Sequence, residues 1–326
     1  MKEGWERTGI PITLDLRQMS DIIKPVFPDK RIVSAERIGT GFSNTNYKIH
    51  LSEGSRPFVF RLYRGSKEIA DKEFALAELV HKTVPVADFI YADTSCSVLE
   101  QPWAILEWKE GILLRDVLKS GSFEDIAAPA AAVGKVLADI HAFSFPESGF
   151  FDGKLKITYP IRMDGDFFLS FMEESLFHNQ CGKWLGEEIT QKLWLFCKAS
   201  HSALSENSEK PVLVHSDFNG LNLLMQPDST NYSVSAVLDW EFAFAWSRHA
   251  DIANMLRYEE DDSPFERHFI QAYQAQGIVL ADNWKHLSKL EDLIALCDLL
   301  NNSTTETPNR VRDLRRLIAR TVQTNV

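Results

Sequence analysis

Cysteine is scarce in this sequence. Only four occur among the 326 residues, and none forms a Cys-x-x-Cys pair. This number and spacing exclude a disulfide framework and a cysteine-based zinc site, and they are typical of proteins in a reducing compartment.

Apolar segments of membrane length are also missing. The longest candidate, residues 126–143, is interrupted by Lys135, Asp139 and His141, whereas a membrane helix needs about 20 predominantly apolar residues. The first ten residues, MKEGWERTGI, lack the apolar centre of a secretory leader. We therefore expect a cytoplasmic protein with no membrane partner.

Positive charge is in deficit. The 35 Lys and Arg residues face 46 Asp and Glu residues, which gives a net charge of -11. A surface of this sign repels polyphosphate, so nucleic acid is excluded as a partner of the protein body. The charge suits a cationic small molecule, although solubility alone also explains it. The 44% hydrophobic and 25% charged residues are typical of a globular protein with a substantial core.

Strand signals dominate the first hundred residues. Short segments rich in aromatic and β-branched residues alternate with turn-like stretches such as TGFS and EGSR. One intervening segment instead has apolar residues at helical spacing. The strand segments are residues 31–39, 44–52, 57–65, 86–93 and 102–111, and the helical segment is 66–83. The pattern predicts an antiparallel sheet with one crossing helix.

Helical periodicity dominates after Gly111. It extends over residues 112–119, 123–143, 165–178 and 186–205, and it resumes from about residue 250. Ser263, Pro264 and Glu266 form a helix-start signature. We therefore predict an α+β protein of two lobes, a sheet-rich nucleotide-binding lobe over residues 1–107 and a larger, mostly helical lobe over residues 108–326.

Polar side chains interrupt the apolar stretch LVHSDFNGLNLL, residues 213–224. Asp217 and Asn222 lie in a loop between two short strands, and pairing with the later strand VSAVLD brings Asp239 beside Asn222. Carboxylate and amide oxygens are suitable ligands for Mg²⁺, which uses one or two protein carboxylates together with water and phosphate oxygens. Asp217 remains available to accept a proton from a hydroxyl. The set favours phosphoryl transfer, and the alternative is that these residues only cap turns.

These residues resemble a known signature. HSDFNGLNLL, with VLDWEFA downstream, is similar to the motif of the aminoglycoside phosphotransferase and choline kinase family, which has a protein-kinase-like fold. The resemblance extends from about residue 35 to about residue 275. It implies that Asp217 is the catalytic base and that Asn222 and Asp239 are metal ligands. It also implies that His215 and Asp251 support the catalytic loop.

The segment IGTGFSNTNYKI, residues 38–49, resembles the phosphate-covering loop of that family. It lacks a third glycine, because Asn44 stands at that position. The implied phosphate-binding residues are Gly39, Gly41, Ser43, Asn44 and Thr45.

The resemblance also assigns the remaining nucleotide contacts. Arg61 takes the place of the usual lysine and would pair with Glu73, with Glu78 as the alternative partner. An arginine keeps its charge and binds phosphate in a planar fork, although Arg61 could also be an edge residue in a surface ion pair. The segment WAILEWKEG resembles the connection between the lobes, where the Glu107 carbonyl and the Lys109 N–H would face the base.

The resemblance implies a kinase that uses ATP, or GTP, and Mg²⁺ to phosphorylate a small-molecule hydroxyl. The acceptor is open among aminoglycosides, choline-like amines, homoserine and sugar-like metabolites. The acidic residues Glu259, Glu260, Asp261 and Asp262 are either an acceptor-binding wall or a solvated loop before a helix. Two alternatives are a nucleotide-binding regulatory module without turnover and a scaffold that binds no nucleotide.

Overall fold

The chain begins with a sheet-rich part and continues into a mostly helical part. The computed structural model describes residues 2–6, 9–39, 44–54, 56–120, 126–162, 164–205, 209–227 and 232–323. The strands are β1 (Ile32–Ile38), β2 (Thr45–Leu51), β3 (Phe58–Leu62), β4 (Phe89–Asp93), β5 (Trp103–Glu107), β6 (Ile112–Leu113), β7 (Gly149–Phe151), β8 (Ile157–Pro160), β9 (Val212–Val214), β10 (Leu223–Pro227), β11 (Tyr232–Val237) and β12 (Phe244–Trp246). The helices are α1 (Leu16–Ile22), α2 (Lys67–Val80), α3 (Leu114–Ser120), α4 (Ala127–His141), α5 (Gly165–Glu173), α6 (Cys181–Leu185), α7 (Glu187–Ser200), α8 (Ser202–Ser205), α9 (His249–Leu256), α10 (Pro264–Gln274), α11 (Trp284–Asn301) and α12 (Pro308–Gln323).

A five-stranded antiparallel sheet has the order β1-β2-β3-β5-β4. Burial alternates along β2, as expected where one face of a sheet packs on a core. Tyr47 and Ile49 on that face pack with Met19 and Ile23 of the α1 region. The five strands and the crossing helix α2 lie within the segments predicted from sequence. Helix α1 had not been predicted, although Asp15 and Gln18 form a capping box at its start.

The loop with the polar residues lies between β9 and the hairpin β10–β11. In that hairpin Leu223 pairs with Val237, and the Leu238 N–H donates to the Asn222 carbonyl at 2.9 Å. The predicted pairing of these two strands is confirmed. Strand β6 pairs with the other edge of β10, so the chain segment after β5 is joined directly to the hairpin.

Two clusters of buried side chains form the core around the helices, and the first also includes Leu76 and Val80 of α2 with Val84 and Val86 after it. Helices α4 and α10 approach most closely at Gly134, where an added Cβ would lie 2.2 Å from the Phe269 carbonyl oxygen. The predicted start of α10 is confirmed, because the Ser263 side chain accepts a hydrogen bond from the Glu266 N–H and Pro264 is the first helical residue. Within the described ranges, every helix is too short or too polar to span a lipid bilayer.

Residues 2–6 contact the helical part of the chain. The Glu6 carboxylate accepts hydrogen bonds from the Asn309 and Arg310 N–H groups at 2.8 and 3.2 Å, at the start of α12. Trp5 is 8% exposed and donates from Nε1 to Asp313 at 3.1 Å. The first described segment therefore packs against α12, away from the strands that follow it in sequence.

Candidate functional site

The Asp217 carboxylate lies in the loop between β9 and β10 and accepts hydrogen bonds on both oxygens. Asn219 Nδ2 donates to Oδ1 at 2.9 Å, and Asn222 Nδ2 donates to Oδ2 at 3.0 Å. Lys2 Nζ forms an ion pair with Oδ1 at 2.5 Å. Burial raises the pKa of Asp217, but the positive charges of Lys2 and Arg257 together with other contacts outweigh this effect, so the pKa lies below its usual value. The side chain is therefore an ionised carboxylate at neutral pH, as a proton acceptor must be.

His215 is fully buried beneath this loop. Its Nε2–H donates to the Leu238 carbonyl at 2.8 Å, and its Nδ1 accepts from the Asp217 N–H at 3.2 Å. A neutral imidazole with its proton on Nε2 meets both contacts. His215 thus joins the backbone of Asp217 to the residue that precedes Asp239.

Asp251, at the start of α9, binds the backbone of the same loop. Its two oxygens accept hydrogen bonds from the His215 and Ser216 N–H groups at 2.7 and 2.8 Å. Ser216 has φ of 68°, an uncommon value for a residue with a side chain. Behind Asp251, His141 Nε2 lies at 3.3 Å and His141 Nδ1 contacts the Tyr273 hydroxyl at 2.7 Å. This buried network fixes the backbone on which Asp217 stands.

Asn222 and Asp239 lie side by side because of the β10–β11 pairing. Asp239 follows Leu238, whose N–H binds the Asn222 carbonyl, and it has the left-handed conformation with φ of 59° and ψ of 69°. Asn222 Nδ2 donates to Asp217, so Oδ1 is the atom with which Asn222 would bind a cation. A carboxylate and an amide oxygen on adjacent strands suit Mg²⁺, which keeps most of its positions for water and phosphate. Among the described residues, no three His, Cys, Asp or Glu side chains form a more complete metal site.

Arg61 on β3 connects helix α2 to Asp239. Its guanidinium forms ion pairs with Glu73 and Asp239, and its Nε donates to the Asn46 side chain at 3.0 Å. The second Glu73 oxygen accepts from the Tyr63 hydroxyl at 2.7 Å. Burial lowers the pKa of Arg61, but the two carboxylates outweigh it and raise the pKa well above its usual value. The predicted partner Glu73, rather than Glu78, is the one in contact.

The glycine-containing turn before β2 is described only in part. Gly39 has φ of +74°, a conformation that glycine adopts without steric cost. Gly41 and Ser43 lie outside the described residues.

Asn44 and Thr45 follow that turn. Asn44 Nδ2 donates to the Glu241 carboxylate at 3.2 Å, just after Asp239 in the chain. Thr45 is buried, and its hydroxyl accepts from the Ile12 N–H at 3.1 Å. The Thr45 hydroxyl, one of the groups expected from sequence to contact phosphate, therefore already has a hydrogen-bond partner in the Ile12 backbone.

Glu107 is the last residue of β5 and pairs with Phe58. Its N–H donates to the Asp88 carbonyl at 2.9 Å, and its side chain forms an ion pair with Lys109 at 2.8 Å. Residues 108–111 then lead to β6 without strand or helix structure.

The acidic residues before α10 do not form one wall. Asp261 and Asp262 form ion pairs with Lys289 and Lys285 of α11, at 3.1 and 2.6 Å, and Glu260 is exposed. Only Glu259 among the four lines the cavity beside the loop between β9 and β10. Burial raises the pKa of Glu259. Of the two interpretations left open from sequence, a solvated loop describes Glu260, Asp261 and Asp262, because the lysines of α11 compensate two of these carboxylates. Glu259 alone of the four lies beside the cavity.

Several residues of the site had not been assigned from sequence. They are Lys2, His141, Asn219, Asn254 and Tyr273. Asn219 was visible as a polar residue in the apolar stretch, two positions after Asp217. The others come from distant parts of the chain, and no spacing pattern connects them to Asp217.

Comparison with known proteins gives a match to one family model and to solved structures. The model of the phosphotransferase enzyme family matches residues 34–287. The solved structure of aminoglycoside phosphotransferase APH(4)-Ia is 14% identical, with a TM-score of 0.68 over 96% of this chain and 100% of that one. The GDP complex of aminoglycoside 2'-phosphotransferase-IIIa is 17% identical, with a TM-score of 0.74 over the same shares of the two chains. No curated protein matches the sequence. The predicted protein-kinase-like fold is confirmed.

Proposed function

The chain belongs to the phosphotransferase enzyme family, whose members are nucleotide-dependent kinases of small-molecule hydroxyl groups, and we propose that it transfers the γ-phosphoryl group of ATP with the help of Mg²⁺. The observation that carries the proposal is the Asp217 loop. Its carboxylate is ionised, oriented by Asn219 and Asn222, and held from behind by His215 and Asp251.

In the proposed reaction Asp217 accepts the proton of the acceptor hydroxyl as its oxygen attacks the γ-phosphorus and the bond to the β–γ bridging oxygen breaks. Little covalent chemistry is left to the protein in such transfers, because positioning and charge compensation supply most of the catalysis. The rigid support of the Asp217 backbone fits this requirement, since small displacements of a reacting group cost large factors in rate.

Asn222 and Asp239 would hold the Mg²⁺ ion. When bound, the ion supplies positive charge to the phosphate oxygens and orients them for transfer. The support for this assignment is the donor chemistry, an amide and a carboxylate oxygen brought together by the β10–β11 hairpin.

Arg61 would compensate the negative charge of the nucleotide phosphates, and Glu73 would hold the guanidinium in place. In this proposal the nucleotide lies between a lobe of residues 1–107 and a lobe of residues 108–326. Its base would contact the Glu107 carbonyl and the Lys109 N–H, and the backbone near Gly39 and Asn44 would cover the phosphates. GTP is the alternative donor, because the solved 2'-phosphotransferase-IIIa was captured with GDP.

The acceptor in this proposal is a small hydroxylated molecule. Solved relatives of the same fold were captured with kanamycin and with hygromycin B. The acceptor classes to be tested are aminoglycosides, choline-like amines, homoserine and sugar-like metabolites. Glu259 is the acidic residue in position to contact a cationic group of the acceptor.

The decisive experiment is transfer of labelled γ-phosphate from Mg·ATP, and in parallel from Mg·GTP, to a panel of these compounds. We expect one class to be phosphorylated, and Asp217→Ala to lower kcat by roughly 10²–10⁴-fold. Lys192→Met, which alters an exposed ion pair with Glu188, is the matched control and should retain full activity. Equal turnover by the parent and Asp217→Ala would refute the proposal.

A further inference from the structure

Residues 2–6, here called the strap, are held against the helical part at two points. Glu6 accepts hydrogen bonds from two N–H groups at the start of α12. Desolvation raises the pKa of Glu6, but hydrogen bonds such as these outweigh it, so the pKa lies below its usual value. Trp5 is buried among the side chains of the second helical core, and its ring lies 5.4 Å from the Arg310 guanidinium. The Trp5 N–H also closes a turn onto the Lys2 carbonyl at 3.1 Å. The strap is therefore a built element with a defined end at Lys2.

That end lies on the catalytic carboxylate. Lys2 Nζ is 2.5 Å from Asp217 Oδ1, and the side chains are only 15% and 21% exposed. Lys2 also forms one wall of the cavity beside the loop, together with Asn219, Asn254 and Glu259. The space left in this cavity is about 30 Å³, which is room for roughly two water molecules.

From this arrangement we propose that the strap is an inhibitory element, in which the Lys2 ammonium occupies the position on Asp217 that the acceptor hydroxyl needs. The inference rests on the proposed function, because it takes Asp217 as the proton acceptor. The Asn219 amide and the Lys2 ammonium together fill the two acceptor positions of Asp217 Oδ1, while Oδ2 faces the Asn222 amide. Lys2 is the donor on Oδ1 that comes from outside the loop between β9 and β10.

The acceptor reaches Asp217 only after Lys2 has moved away. Turnover is then reduced by the fraction of molecules in which the strap is in place, as for any protein whose competent state is partly populated. The same holds for water, the smallest acceptor. In ATP hydrolysis the water oxygen bonds to the γ-phosphorus, the bond to the bridging oxygen breaks to give ADP and phosphate, and the water proton passes to Asp217.

The first measurement is hydrolysis of Mg·ATP without any organic acceptor. Lys2→Met removes the cation but keeps most of the side-chain length, whereas Lys2→Arg keeps the cation. We expect Lys2→Met to hydrolyse ATP about tenfold faster than the parent, which corresponds to loss of one charge-assisted hydrogen bond. The rate of ATP hydrolysis by Lys2→Arg should stay within about twofold of the parent rate, because the positive charge beside Asp217 is retained.

The second measurement establishes the contact independently of activity. Lys2→Met is introduced into the parent and into Asp217→Asn, and the thermal midpoints of all four proteins are compared. We expect Lys2→Met to lower the thermal midpoint by about 2 °C in the parent and to change it very little in Asp217→Asn. The reason is that the effects of substituting two residues in contact with each other are not additive.

The proposal is overturned if Lys2→Met hydrolyses ATP no faster than Lys2→Arg, or if no variant hydrolyses ATP at all. Equal midpoint shifts in the two backgrounds would also overturn it. Failure of the proposed function is distinguished by the transfer assay, since a chain that is not a kinase would phosphorylate no acceptor of the panel in any variant, whether Lys2 is present or replaced.

Discussion

Arg61 on β3 forms an ion pair with Asp239, which lies two residues after the β10–β11 hairpin. The same guanidinium pairs with Glu73 of α2, so one cation compensates two carboxylates from different parts of the chain. In the proposed reaction Asp239 holds Mg²⁺, and Arg61 is then available to the nucleotide phosphates. In the free protein Arg61 therefore neutralises Asp239, and in the proposed nucleotide complex Mg²⁺ would take over this role.

Asp239→Asn should weaken the binding of Mg·AMP-PNP, because it removes the carboxylate proposed to hold the metal. We expect Kd to rise by more than about tenfold, since even loss of an outer-shell partner of a metal site has an effect of that size. Isothermal titration with and without Mg²⁺ measures this. Asp217→Asn is the comparison and should bind the nucleotide nearly as the parent does. An unchanged Kd for Asp239→Asn would exclude Asp239 as a metal ligand.

Arg61→Met should destabilise the protein strongly. The substitution leaves Glu73, only 3% exposed, without its counter-charge. Breaking one partner of a buried ion pair lowers the free energy of unfolding by about 3 kcal/mol or more. Urea unfolding checks this, with Arg61→Lys as the charge-retaining control. If the two variants unfold at the same urea concentration, the charge of Arg61 is not what stabilises this contact.

Asp251→Asn should lower kcat without changing nucleotide binding. An amide has one carbonyl oxygen, so it cannot accept both loop N–H groups as the carboxylate does. We expect kcat to fall by about 10²-fold as Asp217 loses its position. Asp152 also binds two backbone N–H groups, those of Lys154 and Lys156, but with the single oxygen Oδ1 and in the exposed turn between β7 and β8. Asp152→Asn is therefore the control for an Asp-to-Asn change at a turn and should leave kcat unchanged. A similar loss of activity in both variants would point to general destabilisation.

Glu291 gives the protein a defined pH dependence. Burial raises its pKa from 4.5 to about 7, although the Trp246 Nε1–H donates to it at 2.8 Å. The folded state therefore holds a proton that the unfolded state releases between pH 4.5 and 7, and stability falls as the pH rises through this range. Between pH 5 and 8 the loss should be about 2–3 kcal/mol, and Glu291→Gln should not show it.

This effect has to be measured as the difference between the parent and Glu291→Gln. Burial lowers the pKa of His249 to about 4, so its contribution rises with pH between 4 and 6.5 and opposes that of Glu291. Denaturant titrations of both proteins at several pH values isolate the Glu291 contribution. A constant difference between about pH 5 and 8 would show that Glu291 is already ionised in the folded protein at the lower end of this range, so that its pKa is not raised.

The sheet and the centre of the site could be predicted because their signals are local. The aromatic and β-branched segments predicted the strands, and the pairing of β10 with β11 followed from two apolar runs and a turn between them. That pairing alone is sufficient to place Asn222 beside Asp239. The polar residues at positions 215–222 stood out because an apolar stretch has no other need of them.

Contacts between distant residues could not be predicted in this way. Lys2 and Asp217 are 215 positions apart, and neither hydropathy nor periodicity connects them. The acidic loop was ambiguous for the same reason, because the lysines that compensate Asp261 and Asp262 follow more than 20 residues later. Charge patterns show which groups need partners, whereas only the packing of helices decides which partners they obtain.

The pairing of β6 with β10 has a mechanical consequence. Ile112 and Leu113 are fixed to the β10–β11 hairpin, and Ser235 Oγ donates to the Glu110 carbonyl at 2.8 Å. On the other side of the hairpin, the Val237 N–H donates to the Pro85 carbonyl at 2.8 Å. The hairpin that carries Asn222 and Asp239 is therefore anchored to the chain both before β4 and after β5, and a rotation of the five-stranded sheet would have to break one of these attachments.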